Sequence, residues 1–178
     1  EQVEKLALQL FDQFQAQHGL GPRHRFILRV AAILHNIGKF FTVKQDGEIA
    51  YEMIKSSDLI GLTNQEVELI ALLVKHHADN FFTLNYEEIL LTSEEQLTFV
   101  KLAVLLGMAN ALDTGHKSKV KNITTEVRKR HIKVILESNQ DLTLESWSFQ
   151  KTAKYFQEIF GTELRLLIVA ETEKLNKK

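Results

Sequence analysis

Two histidines occupy positions from which a side chain could do chemistry. His35 follows Ala31 by one helical turn and Ile27 by two, and so shares their apolar face. His77 stands three residues after Val74 and seven after Ile70, again on an apolar face. Neutral imidazole is a common metal ligand, so inward histidines from two helices could converge on one ion. Spacing by itself favours a plainer reading, in which each is a hydrogen-bonded core or boundary histidine. A second cluster is electrostatic. Between His116 and Lys133 the cations Lys117, Lys119, Lys121, Arg128, Lys129, Arg130 and Lys133 face Glu126 alone. His131 and Lys133 share one face of a predicted strand. Guanidinium and ammonium groups suit phosphate oxygens, which makes Lys117, Lys119, Arg128, Lys129 and Arg130 candidate ligands for a polyanion. The competing reading is a solvated turn between strands. RNA fits less well, because no Phe or Tyr interleaves with these charges.

These residues need elements to hold them. Val3, Leu6, Ala7, Leu10, Phe11 and Phe14 form the stripe of an opening helix. His18-Gly19-Leu20-Gly21-Pro22 is a breaker, with the one Pro placed to start a second helix. That helix carries Phe26, Ile27, Val30, Ala31 and Leu34 and is predicted to end near Gly38, beside Lys39. A polar stretch, Lys44 to Glu48, leads into a shorter helix with Ile49, Met53 and Ile54. Thr63 to Glu66 reads as a capping box opening a helix through Val67, Ile70 and Val74 to about His77. Asp79 to Leu91 is less regular. Ser93-Glu94-Glu95-Gln96 reads as a second box, opening an apolar helix to about Leu112. Near Gly115 the character changes. Ile123–Val127, Ile132–Leu136 and Leu164–Val169 read as strands, with a helix of Phe149, Ala153, Phe156 and Phe160 before Gly161. The expected fold is mainly α: a helical domain over residues 1–118, then a small α+β module, strand-strand-helix-strand, over 119–178. The module is small enough that it should pack on the helical part.

Composition sets the outer bounds. With 178 residues, 44% of them hydrophobic, the chain can bury one good core. Its 22 Lys+Arg balance 23 Asp+Glu, so any polyanion site must be a local patch. The lack of cysteine excludes disulfides and zinc-thiolate sites. No apolar run reaches the roughly 18 residues that span a bilayer. The expected setting is cytoplasmic, with no membrane partner. The sequence opens on Glu1 already inside an amphipathic stripe with no capping residue before it, and reads as a piece of a longer polypeptide.

Leu34-His35-Asn36-Ile37-Gly38-Lys39 resembles the LHDIG core of HD phosphohydrolases, with Asn at the Asp position. The wider run from Ala31 to Phe41 is closer to one branch, the exopolyphosphatase and guanosine pentaphosphate phosphatase family. Its longer members carry an HD-like domain behind actin-like catalytic domains. Leu6 to Asp12, His18 to Gly21, Ser57-Asp58-Leu59 and Glu68 to His77 resemble that family in the same order. Ala109-Asn110-Ala111-Leu112-Asp113 with His116 resembles its ADxLDxxH segment. The C-terminal module fits the small last subdomain of such proteins.

The resemblance implies a site that has lost its ion. Active HD sites use His and Asp to hold a divalent cation that activates water. His35 and His77 match ligand positions, whereas Asn36 and Asn110 fall where ligand aspartates would stand. Ile49 falls where this branch often has His, and the family's first ligand His would lie upstream of Glu1. An amide keeps the shape of a carboxylate but cannot offset a cation's charge, so two imidazoles and two amides make a poor cradle for magnesium or manganese. They could catch a soft transition metal weakly. Asp113 could swing toward the site, but reads rather as a helix-end carboxylate exposed to water.

The expectation is therefore a vestigial metal site at His35, Asn36, His77 and Asn110, with no metal, cofactor or catalytic residue in this segment. The segment would be an accessory domain that binds polyphosphate or pppGpp and forms a homodimer. Catalysis, with Mg2+ as the implied cofactor, would belong to N-terminal domains of the parent. Two alternatives stand beside this: an HD nucleotide phosphohydrolase with a reduced ligand set, and a pure oligomerisation module.

Overall fold

All six apolar residues of the opening stripe are buried, and they set the position of everything that follows. Five lie on α1 (Gln2–Gln13), and the sixth, Phe14, interrupts the helix before the short α2 (Gln15–His18). The computed structural model describes residues 1–40, 46–77 and 92–171. The polar stretch read at Lys44 to Glu48 lies partly outside these residues, and the irregular one from Asp79 to Leu91 wholly outside.

Gly19 ends α2 at φ 65°, a left-handed conformation open to glycine at little cost, and the chain turns through the breaker into α3 (Pro22–Leu34). His18 stabilises this corner from inside. Its Nε2 donates to Phe11 O at 2.8 Å while its Nδ1 accepts from Leu20 N at 2.9 Å. Burial, the largest influence, lowers its pKa and keeps the ring neutral, as that pairing requires. Next come α4 (Asp46–Lys55), α5 (Asn64–Lys75) and α6 (Ser93–Ala111). From Leu102 to Ala109 every residue of α6 is buried, the pattern of a helix surrounded on all sides. Its neighbours are α1, α3, α5 and a later helix, α7 (Thr143–Phe160).

The Thr63–Glu66 box forms as expected. The second box is shifted by one residue from the Ser93–Gln96 reading. Thr92 is the N-cap, and Glu95 returns its carboxylate to Thr92 N at 2.8 Å. Both registers carry a hydroxyl followed three residues later by a Glu or Gln. The structure uses the one ending in Glu, whose negative charge suits a helix N-terminus better than an amide.

Beyond α6 the chain forms β1 (Asn122–Val127), β2 (His131–Glu137) and, after α7, β3 (Glu163–Val169). The sheet order is β1-β2-β3, antiparallel in the first pair and parallel in the second. Ile132, Val134 and Leu136 are buried on one face, while His131, Lys133, Ile135 and Glu137 alternate onto the other. Gly161 closes α7 at φ 69°. As expected, the module packs on the helices: the rings of Phe14 and Phe156 stand 4.6 Å apart, and one hydrophobic core runs through both parts.

The outer edge of β1 is covered by the polar side of α1. Gln2 Nε2 donates to Val120 O at 2.6 Å, Gln9 Nε2 to Asn122 Oδ1 at 2.7 Å, and Gln13 Oε1 accepts from Thr125 N at 3.0 Å. An edge amide left open is a hazard for stray pairing, and at Thr125 the side chain of Gln13 occupies it.

Candidate functional site

The last turn of a helix runs out of main-chain donors, and in α3 and α5 a histidine supplies one. His35 Nδ1 lies 2.7 Å from Ala32 O, and His77 Nδ1 lies 2.7 Å from Val74 O. A carbonyl oxygen can only accept, so in both rings Nδ1 carries the proton and Nε2 faces away from the backbone. Helix α3 stops at Leu34, earlier than the expected end near Gly38, and a 3-10 turn covers Ile37–Phe40. Both imidazoles are buried, with centroids 5.4 Å apart and planes at 80°. Two inward histidines on separate helices are therefore brought together. Burial, helped by the neighbouring charges of His77 and Lys39, pulls His35 down to about 4 against the opposing pull of the Ala32 carbonyl. The ring is neutral at ordinary pH.

The rest of the expected constellation is looser. Asn36 follows His35 directly, and its Oδ1, like His35 Nε2, is buried without a hydrogen-bond partner among the described residues. Both atoms are lone-pair acceptors, and each suits a hydrogen-bond donor. Asn110 is half-buried on the last turn of α6, and the hydrogen bonds among the described residues do not join it to either ring. Ile49 is half-buried on α4. His35, Asn36, His77 and Asn110 themselves carry no carboxylate, and among the described residues no group of three His, Asp or Glu is placed to hold a metal ion.

Asp113 departs from the expectation of an exposed helix-end carboxylate. It is 7% exposed, and its Oδ1 accepts from Ser118 N at 2.9 Å. The carboxylate shapes a tight turn in which His116 and Ser118 both adopt φ 49°, a conformation costly for side chains with a Cβ. A buried oxygen that receives a main-chain amide has a structural task of its own, so Asp113 does not swing toward the histidines.

The basic cluster is divided by strand β1. At one end, Lys117 is exposed on the strained turn, and Lys119 Nζ is taken by Asp141 O at 2.8 Å and Glu145 Oε2 at 3.0 Å. The other end lies about 20 Å away, the length of a six-residue strand. There Arg128 N donates to His131 O at 2.9 Å, closing a hairpin with Lys129 and Arg130 at its tip. A cleft of 640 Å³ is lined by Arg128, Lys129, Arg130, His131, Lys133 and Arg165. Arg165 was not legible as a member; the parallel register that sets Lys133 against Arg165 brings it in from β3. A second hollow of 370 Å³ shares the tip and is walled by Gln17, Gly161 and Thr162. Lys117 and Lys119 belong to neither.

Carboxylates temper the cleft. Glu126 pairs with Arg128 and lies 3.7 Å from Lys133, and Glu163 meets Arg165 at 3.1 Å. The Arg165 guanidinium holds the Glu163 carboxyl below its usual range. Lys129 and Arg130 have no ion-pair partner among the described residues. Five cations therefore face two carboxylates, with two of the cations uncommitted. Such an arrangement can hold a flexible chain of phosphates through several weak, exchangeable contacts.

A family model described as Ppx/GppA phosphatase, domain III, matches residues 1–155. Guanosine-5'-triphosphate,3'-diphosphate pyrophosphatase of Aeromonas salmonicida is 34% identical over 82 residues, which is 46% of this chain and 16% of that protein. The protein of the same name from Photobacterium profundum is 28% identical over 106 residues, 58% of this chain and 21% of its own length. The matched stretches are thus a small part of these relatives.

Proposed function

The chain belongs to the Ppx/GppA phosphatase domain III family, and from that footing we propose that it is an accessory domain that binds the polyphosphate or pppGpp substrate of an exopolyphosphatase-like phosphohydrolase. Its histidine pair is the remnant of an HD-type metal site. Catalysis resides in actin-like domains of a parent protein, which works as a homodimer in the cytoplasm and uses Mg2+ there. Among the described residues, no helix is long and apolar enough to cross a membrane.

The observation that carries this reading is the cleft at the hairpin tip, where a chain of net charge −1 gathers five cations around one hollow. A long-chain polyphosphate carrying a fluorescent end label is the direct probe. Changing Arg128, Lys129, Arg130, Lys133 and Arg165 together to Gln should weaken binding by at least about tenfold and flatten its dependence on salt. Lys117→Gln, outside the cleft, should leave affinity within about twofold. Unchanged affinity in the five-fold variant would show that the cleft is a solvated turn and nothing more.

A second reading has one observation in its favour, the approach of His35 and His77 to 5.4 Å. If the pair were a working metal centre, zinc or nickel would bind stoichiometrically, and phosphatase activity of the chain would vanish with a chelator. The expected result is weak binding at most, abolished by His35→Ala, with no associated hydrolysis. Tight binding coupled to hydrolysis would overturn the accessory reading.

A further inference from the structure

We infer that the open edge of the sheet is a dimer contact, in which β3 pairs antiparallel with β3 of a second copy of this chain. Two three-stranded sheets would then join across a twofold axis at Ile168. The contact rests on the homodimer of the reading above and gives it a surface, and it does not depend on polyanion binding.

The two edges of the sheet differ. On β1, Gln13 of α1 occupies the Thr125 amide. On β3, the ladder runs to β2 on one side, and among the described residues no strand lies on the other. From Leu166 to Ala170 this edge reads Leu-Leu-Ile-Val-Ala, without a charge or a proline. Leu167 and Ile168 point to opposite faces, yet they are 40% and 43% exposed. Edge strands are ordinarily blunted by a charge, a proline or a covering element, and a flat apolar edge without them is a template for a further strand.

The charges that flank the apolar run select a second copy as the occupant. Arg165 stands three residues before Ile168, and Glu171 three residues after it. Antiparallel pairing about Ile168 therefore sets Arg165 of each copy opposite Glu171 of the other, and unlike charges meet at both ends of the ladder. Between them Leu166 faces Ala170, Leu167 faces Val169, and Ile168 faces itself. Every pair is apolar with apolar or cation with anion. Glu171 N donates to Asn139 Oδ1 at 3.0 Å, which holds this end of the chain beside the turn after β2. The bond of Arg165 to Glu163 on its own strand is exposed and costs little to exchange. Sliding the ladder by one residue would part both charge pairs and turn core-side residues outward.

Sedimentation of the 178-residue chain over a range of concentrations should show a monomer–dimer equilibrium. Leu167→Lys sets an ammonium group against Val169 of the second copy and should raise the dissociation constant at least about tenfold, with circular dichroism verifying the fold. Arg165→Glu and Glu171→Arg each bring like charges together twice and should raise it about threefold to tenfold. The two combined restore the pairing and should return it to within about twofold. The chain has no cysteine, so Ile168→Cys carries a single thiol that faces its own copy at the axis. Oxidised glutathione should link that variant into a disulfide dimer, and should not link Leu144→Cys, exposed on α7. A dimer that ignores Leu167→Lys and is not linked through Ile168→Cys would overturn the edge contact and leave the homodimer standing. A charge swap that fails to restore the dimer would overturn the register on which the choice of a second copy rests. A chain monomeric at every concentration would overturn both the contact and this chain's share in a homodimer.

Discussion

Replacing Lys119 with methionine is expected to destabilise the protein by about 3–5 kcal/mol, read as a lower denaturant midpoint. Glu145 on α7 is 1% exposed, and Lys119 Nζ is its ionic partner at 3.0 Å. Its other oxygen is closed in by the backbone: a Cβ on Gly115 would stand 3.0 Å from Oε1. Without the ammonium group the carboxylate would remain buried without its counter-charge. Lys119 also ties the entry of β1 to the β2–α7 connection, because Ser138 Oγ donates to its carbonyl at 2.9 Å. The double variant Lys119→Met with Glu145→Met removes both charges and should recover most of the loss, since apolar pairs of similar volume often replace buried ion pairs without penalty. If the double variant were less stable than Lys119→Met alone, the uncompensated carboxylate would not be the cause.

Acidification should remove a comparable amount of stability through His35. Its pKa is about 4 in the folded protein against an unperturbed value of about 6.5. Between those values the unfolded chain binds a proton that the folded chain refuses, so unfolding becomes easier as pH falls. The contribution is fully present above about pH 6.5, declines through the window, and is gone below about pH 4, a total of roughly 3 kcal/mol. His18, also held neutral by burial, acts in the same direction. Denaturant melts at intervals across this window should show stability rising with pH. His35→Leu should flatten much of that slope whatever its effect on absolute stability. An unchanged slope would mean that His35 accepts its proton in the folded state.

The sequence was most legible where one periodicity ruled. The stripe of α1 and the alternation of β2 each bury one face, so spacing alone marked their inner residues. The inward pair His35 and His77 was readable for the same reason, since each continues an apolar row. What failed was direction and partnership. Seven cations close together in sequence looked like one patch, but an extended strand carries its two ends far apart, so Lys117 and Lys119 separate from Arg128–Lys133. Arg165 joins the cleft through strand pairing, which no local pattern encodes. Asp113 looked like a solvated helix end because its partner is a main-chain amide, a group that composition cannot reveal. The capping register slipped because two neighbouring hydroxyls offered nearly equal boxes, and only the charge of Glu95 separates them.

The glutamines of α1 have a consequence for how the chain is made. Gln2 meets Val120 across 118 positions, and Gln13 meets Thr125 across 112. Side chains translated first must wait for a strand translated much later, and the sheet has no finished margin until they meet. A nascent chain released before β1 would expose a rail with nothing on it, and a C-terminal piece made alone would expose a strand with no rail. The helical part and the module are therefore joined by contacts between segments made far apart in time.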